Sequence, residues 1–382
     1  MEEQPKNGYE FLKQLVEKKD AQKSVHQEFY AYLDSKARTK GIPLHGQFEL
    51  TPLCNFNCRM CYVHLAKEQM KGRPLLTVAE WKDLIHQAWK AGMIDATLTG
   101  GECLTYPGFR EVYLYLRELG CEVNILTNGS LIDDKWISFF RENKPAAIQI
   151  TLYGQNEEAY ERVTGQRSFA KVTENIRKML EAGLLVSLSV TPSKYLGEDV
   201  FETIRFGKTF GVDLSVNSYL MSPREETGRS EQQDDLDIDF HVKLRHFLDG
   251  KSEDEIQIIP EDKLPPVGGP AHECSQCGLQ CGGGRSSFNI DWKGIMYPCN
   301  QLSMVKGYPL RTSFSDAWKQ INRTVENWPR VAECEGCAYA SVCSNCAAQI
   351  LRFTEPGKQP AALCEQTKYL VQHGAWHISG CE

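Results

Sequence analysis

The chain alternates short runs rich in β-branched and aromatic residues with longer segments whose apolar residues recur at helical spacing. This is the pattern of strands interleaved with helices. The run Gln47 to Thr51 predicts a first strand. Thr77 then opens a helix, with Glu80 three residues on to complete a capping box. The apolar face of that helix is Val78, Trp81, Ile85, Ala88 and Met93. After a strand over 96–99, the next helix shows Phe109, Val112, Tyr113, Leu116 and Leu119, and Gly120 stops it. Strand 123–126, helix 133–140, strand 148–152, helix 169–180, strand 185–190, a helix through Phe210 and strand 214–217 continue the alternation. Six strand runs with five helices between them imply an α/β fold with a parallel sheet and right-handed crossovers. An incomplete barrel and an open doubly wound sheet both fit. In either, reactive loops belong at the C-terminal ends of the strands.

Residues 1–45 carry mixed charges and form an N-terminal helical extension in this reading, and 46–221 hold the alternating pattern. Between Glu225 and Asp262 there are thirteen acidic and four basic residues, a local charge of −9 against −7 for the whole chain. We expect 222–270 to be an acidic linker or bridging region, closed by Pro265-Pro266 and Gly268-Gly269-Pro270. Residues 271–382 form a second, Cys-rich domain with helices. Within it, Phe288, Ile290 and Trp292 alternate ahead of Lys293-Gly294, the pattern of a β-hairpin.

With 382 residues, 41% hydrophobic and 24% charged, the chain can bury a sizeable core. No run approaches the ~18 apolar residues of a membrane span. The polar, acidic N-terminus is not that of a signal peptide. A cytoplasmic location is therefore expected, without a membrane partner. In that compartment fifteen cysteines point to metal binding or catalysis rather than disulfides. A net charge of −7 argues against nucleic acid as the partner.

The cysteines are grouped. Cys54, Cys58 and Cys61 follow the first predicted strand, and ten of the fifteen crowd into the last 110 residues. Three thiolates can hold three irons of a cubane and leave the fourth iron without a protein ligand. A zinc site would need a fourth ligand, for which His64 is the only nearby candidate. The CxxxCxxC spacing followed by Tyr62 resembles the signature of the radical S-adenosylmethionine (SAM) superfamily. The resemblance extends to Gly100-Gly101-Glu102, to Thr127-Asn128-Gly129 and to Thr151, each at a predicted strand end, and to Arg162 eleven residues further on. It implies a partial (β/α)6 barrel and a 4Fe–4S cluster on Cys54, Cys58 and Cys61. It further implies a SAM site made by Tyr62 against the adenine, Gly100, Gly101 and Glu102 at the amino group, Asn128, Thr151 and Arg162. Two positions depart from the family: Cys103 stands where a proline usually follows the GGE, and Tyr153 where an aspartate is common. Cys103, beside the SAM motif, is a small replacement for that proline or a thiol that donates hydrogen to a substrate radical.

Cys281, Gly294, Cys299, then Cys334, Cys337, Cys343 and Cys346, then Cys364 resemble a SPASM domain, with one internal gap shorter by a residue. That resemblance implies two auxiliary 4Fe–4S clusters, three in all. Cys334, Cys337, Cys343 and Cys364 would hold one. Cys281, Cys299 and Cys346 would hold the other, its fourth ligand Cys277 (on proximity) or Cys274, or none. A zinc knuckle is the structural alternative.

Enzymes of this architecture include peptide maturases, sulfatase-maturating enzymes and small-molecule dehydrogenases. Asn300 stands where sulfatase-maturating enzymes carry an aspartate base, and an amide does not take a proton at neutral pH. Eight ligand-spaced cysteines exceed what a one-cluster dehydrogenase needs. The resemblance therefore implies maturation of a ribosomal precursor peptide by crosslinking or epimerisation. It also implies a flavodoxin- or ferredoxin-type reductant; the extension being short for a leader-binding domain, we expect a separate leader-recognition protein, or leader binding through the extension and the acidic linker. A non-catalytic iron–sulfur electron carrier is the alternative from another class; it has no need of the SAM motifs.

Overall fold

The computed structural model describes residues 22–217, 220, 223–224, 227, 236–252, 255–256, 258–268, 278–343 and 346–378, with side chains described from residue 28 onwards. The first part of the expected N-terminal extension, Cys274, Cys277 and Cys381 lie outside the described residues.

After helix α1 (Gln22–Lys40), β1 (His45–Glu49) begins the alternation: α2 (Val78–Lys90), β2 (Asp95–Thr99), α3 (Phe109–Glu118), β3 (Glu122–Thr127), α4 (Asp134–Glu142) and β4 (Ala147–Leu152). Two helices follow, α5 (Glu157–Thr164) and α6 (Phe169–Glu181), then β5 (Val186–Val190), α7 (Asp199–Lys208) and β6 (Leu214–Val216). The capping box of α2 is formed: Thr77 Oγ1 accepts from Glu80 N, and Glu80 accepts from Thr77 N. Asn156 caps α5, and Gly165, at φ 71°, ends it in the left-handed region. The sequence reading had no helix at α5, although Asn156 and Gly165 are the start and stop signals of one.

All six strands pair in parallel with their chain neighbours. Their spatial order runs straight from β6 to β1. A doubly wound sheet needs a point where strand order reverses; none occurs here, so the incomplete barrel is the form adopted. The expected hairpin is present as β7 (Ser287–Ile290) and β8 (Met296–Tyr297), with Gly294 in the left-handed region. It is not set apart in the second domain. β7 pairs in parallel with β1, so the sheet has eight strands in the order β6-β5-β4-β3-β2-β1-β7-β8. An unpaired β1 would expose a row of backbone donors and acceptors; the hairpin covers that edge.

The two faces of the sheet differ. Phe48, Leu98, Ile125, Ile150 and Leu188 are fully buried, packed in one core with Trp81, Tyr113, Phe140 and Ile176 from the helices. The alternate positions are polar and half-buried: Gln47, Thr97 and Asn124 lie side by side in register, as do Gln149 and Ser187. An (β/α)8 barrel fills its interior with bulky apolar residues; this interior is polar.

The acidic bridging region contains α8 (Ile238–Asp249). It touches α7 through Phe201–Phe240 and Phe201–Phe247, with ring centroids 5.8 and 4.9 Å apart. On its other side His246 Nε2 lies 2.8 Å from His373 O, just beyond α11 (Ala361–Gln372). The Cys-rich part adds α9 (Phe314–Glu326), whose Phe314 and Trp318 pack on Phe288, and the short α10 (Ala347–Ile350). Among the described residues no helix is long and apolar enough to cross a membrane.

Candidate active site

The loop carrying Cys54, Cys58 and Cys61 leaves the C-terminal end of β1. Between its thiols, Phe56 and Met60 plug into the core, followed by Val63 and Leu65. Backbone bonds fix its path: Asn57 N donates to Thr164 O at 2.9 Å, Arg59 N to Val163 O at 3.0 Å and Leu65 N to Pro52 O at 3.1 Å. Helix α5 is therefore the floor on which the loop lies.

Gly100 and Gly101 let β2 come against the chain just before the thiols. Gly101 N donates to Thr51 O at 2.7 Å and Glu102 N to Leu53 O at 2.9 Å. A Cβ at Gly101 would stand 2.4 Å from Leu53 O. Glu102 is fully buried and accepts from Leu104 N (3.1 Å), Thr127 Oγ1 (2.9 Å) and Asn128 N (2.8 Å), tying the ends of β2 and β3 together. Burial raises its pKa against the lowering effect of these donors. Asn128 turns its amide to the loop: Nδ2 donates to Asn55 Oδ1 at 2.9 Å and lies 3.7 Å from Cys54 Sγ. Phe56 N and His64 N each donate to a thiol sulfur, of Cys54 and Cys61 respectively, at 3.3 Å. Burial, above all, pushes the free Cys54 thiol up to about 12.

Tyr153 stands beside Cys54, Cys58 and Cys61 together and packs edge-on against Phe56 and Tyr160. In the sequence it appeared only as a departure from a motif; in the fold its half-buried ring lies by the thiol loop. Thr151, on β4, is half-buried on the polar face of the sheet. Tyr62 is close to Glu49, Arg224 and Asn300, with the Arg224 guanidinium 5.6 Å from its ring centroid. Arg162 is placed differently. Its guanidinium pairs with Asp199 and donates from Nε to Tyr195 O at 2.8 Å. It lines an open cavity with Arg59 and Lys194, its bonds going to Asp199 and Tyr195 rather than to Glu102, Asn128 or Thr151. Cys103 is fully buried, its thiol donating to Leu126 O at 3.4 Å and 3.8 Å from Glu102 Oε1.

The later cysteines form two groups. Cys334, Cys337, Cys343 and Cys364 influence one another and line one cavity with Tyr339, Gln359 and Thr367. Cys299 is near Cys281 and Cys346. Cys277, expected in the second group, lies outside the described residues. Among the described residues no three His, Cys, Asp or Glu side chains gather around one point as a single metal ion requires. A cubane takes each thiolate to a different iron. Four thiols on one cavity, which Glu333 also lines, and three near one another suit that ligand set.

A parallel (β/α)6 sheet with a three-thiol loop at the end of its first strand, braced by GGE and TNG turns, defines a class. Residues 48–207 match the Radical SAM superfamily, so this stretch is a radical SAM domain. Among the chain's relatives is the AdoMet-dependent heme synthase of Methanosarcina barkeri, 24% identical over 80% of this chain and 92% of that protein. Another is the antilisterial bacteriocin subtilosin biosynthesis protein AlbA of Bacillus subtilis, 24% identical over 88% of this chain and 75% of that protein. In fold the chain is similar to Streptococcus suis SuiB, solved bound to precursor peptide SuiA. That match has a TM-score of 0.64 at 16% identity and covers 91% of this chain and 82% of that one.

Proposed function

We propose that the chain cleaves SAM reductively and uses the resulting 5′-deoxyadenosyl radical to take hydrogen from a residue of a ribosomal precursor peptide, leaving a crosslink or an epimerised centre. The observation that carries this is the braced three-thiol loop in one molecule with two further thiol groups. Its similarity to AlbA and to SuiB supports the peptide as substrate. Cys54, Cys58 and Cys61 would hold the SAM-cleaving 4Fe–4S cluster. Cys334, Cys337, Cys343 and Cys364 would hold a second, and Cys281, Cys299 and Cys346 with Cys277 a third. Bound there, a reduced cluster supplies the electron that splits SAM.

The chain's own residues do the rest. The N–H groups of Phe56 and His64 and the Asn128 amide point at thiol sulfurs and favour the thiolate form. Tyr153 lies by the thiol loop. Glu102 holds the two strand ends that frame SAM, and Thr151 and Tyr62 face it. Asn300 cannot serve as a base, which turns the chemistry away from formylglycine formation. A flavodoxin- or ferredoxin-type protein is the reductant in this reading, and the substrate's leader is held by a separate recognition protein.

The near-complete overlap with the heme synthase favours a second reading, in which the substrate is a tetrapyrrole. One experiment separates them. The anaerobically reconstituted enzyme, with SAM and dithionite, is given the precursor peptide encoded beside its gene or a tetrapyrrole. The peptide reading expects 5′-deoxyadenosine together with a peptide two mass units lighter, or of unchanged mass with an inverted centre. A modified tetrapyrrole and an untouched peptide would refute it.

A further inference from the structure

Glu49 ends β1 immediately before the thiol loop, and its carboxyl group is fully buried. Its Oε1 is 2.5 Å from Arg224 Nη2, a residue 175 positions later, and the Arg224 side chain is 10% exposed. The pair is unfinished. Arg224 Nη1 and Asn289 Oδ1 are buried with no hydrogen-bond partner among the described residues, while the Asn289 side chain is a hydrogen-bond partner of the Glu49 carboxylate. Asn289, on β7, stands beside Glu49. The neighbouring Asp291 is different, because its carboxylate is spent on the hairpin. It accepts from Lys293 N at 2.9 Å, Ile295 N at 3.0 Å and Tyr297 OH at 3.1 Å.

Leaving charged and amide groups buried and unmated is costly, so the missing partner has a definable chemistry. Glu49 and Asp291 repel an anion, and Arg224 repels a cation. What remains open is one donor on Arg224 and the acceptor oxygen of the Asn289 amide. A neutral peptide group, with its N–H and C=O side by side, is the complement. The position agrees. Half-buried Tyr62 and Asn300 meet at the outer side of this constellation, one residue after Cys61 and one after Cys299. The unmated atoms therefore lie between the thiol loop and the hairpin, on the polar side of the sheet.

We propose that Glu49, Arg224 and Asn289 are positioning residues that hold a backbone amide of the substrate peptide beside the radical-forming loop. This rests on the peptide reading above. The test is steady-state kinetics of the full-length, reconstituted enzyme on its precursor peptide, alongside peptides N-methylated at one core residue at a time. Glu49→Gln, Arg224→Lys and Asn289→Ala are expected to raise KM about tenfold while kcat changes less than about threefold. One methylated position is expected to cost the wild type about tenfold and the Asn289→Ala enzyme less than about threefold, because both changes remove the same contact. Additive losses at every position, or lowered melting temperatures with KM unchanged, overturn the proposal and make the network an internal brace. The methylation scan on the wild type decides even where a variant does not fold. A wild-type enzyme that turns over tetrapyrrole and no peptide overturns the peptide reading itself, and this assignment with it.

Discussion

At Gly101 a side chain has nowhere to go. A Cβ there would lie 2.4 Å from Leu53 O and 2.6 Å from Pro52 O, both backbone atoms leading into the thiol loop. Gly101→Ala is therefore expected to displace the loop and to lose most of the about four irons it would hold, read as iron content after anaerobic reconstitution; a full complement would contradict the packing argument. Cys103 two residues on has the opposite character. Its thiol is enclosed and bonded to Leu126 O, so Cys103→Ala should cost about 1–2 kcal/mol of stability and keep peptide product per 5′-deoxyadenosine unchanged. Loss of product with 5′-deoxyadenosine intact would restore it as a hydrogen donor. Much at this scale was legible in the sequence, because CxxxCxxC, GGE and TNG are short strings, each placed at a strand end by the periodicity. Glu49 with Arg224 was not, since their pairing depends on which strands and loops meet. Its one signal was a carboxylate in the otherwise uncharged strand run before the thiols. Nor could the sequence place Tyr153: a motif records what a family uses, and only the fold shows the ring in the neighbourhood of the thiol loop.

Among the elements, α2 and the β7–β8 hairpin bear most directly on the site's framework. The capping box at Thr77 satisfies two backbone donors at the start of α2, and Thr77→Ala should cost about 1 kcal/mol. Its pH dependence follows from Glu80, whose pKa the Thr77 backbone and side-chain bonds lower. A lowered carboxylate pKa stabilises the fold above the ordinary carboxylate range and ceases to do so as pH falls through the lowered value. The gap in melting temperature between wild type and Thr77→Ala should therefore narrow in acid; a gap that widens there would assign the cost to something other than the box. The hairpin was readable as a hairpin from its alternation, but its attachment to β1 was not, because register between strands some 240 residues apart leaves no local trace. Phe288 secures that attachment, with ring centroids 5.8 Å from Phe48 and 5.0 Å from Phe314. Phe288→Ala should cost about 3–5 kcal/mol and open the β7–β8 hairpin to limited proteolysis before the barrel is cut.

The whole molecule joins three thiol groups through one continuous sheet and one bridging helix, and this sets how they depend on one another. The hairpin makes the Cys-rich part an extension of the barrel sheet, and Asn300, next to Cys299, reaches Tyr62, next to Cys61. The group of Cys334, Cys337, Cys343 and Cys364 is surrounded differently. Its cavity is walled by Tyr339, Gln359 and Thr367 and by Val267 and Gly268 of the bridging region, and α11 beside it reaches α8 through Tyr369 and Asp239. Removing a thiol from this group should therefore act locally. Cys343→Ala is expected to lose about four of about twelve irons, to abolish peptide product, and to leave 5′-deoxyadenosine formation from SAM alone in place. Cys58→Ala should lose a similar share of iron and all 5′-deoxyadenosine, because its loop is where SAM would be cleaved. Cys299→Ala should fall between the two, slowing SAM cleavage as well as losing iron, since the Tyr62–Asn300 contact carries its disturbance back to the loop. Iron analysis and the SAM-only assay on the three variants decide the matter. Equal loss of SAM cleavage in all three would mean that the thiol groups fold as one unit, and that the division drawn from their separate surroundings does not hold.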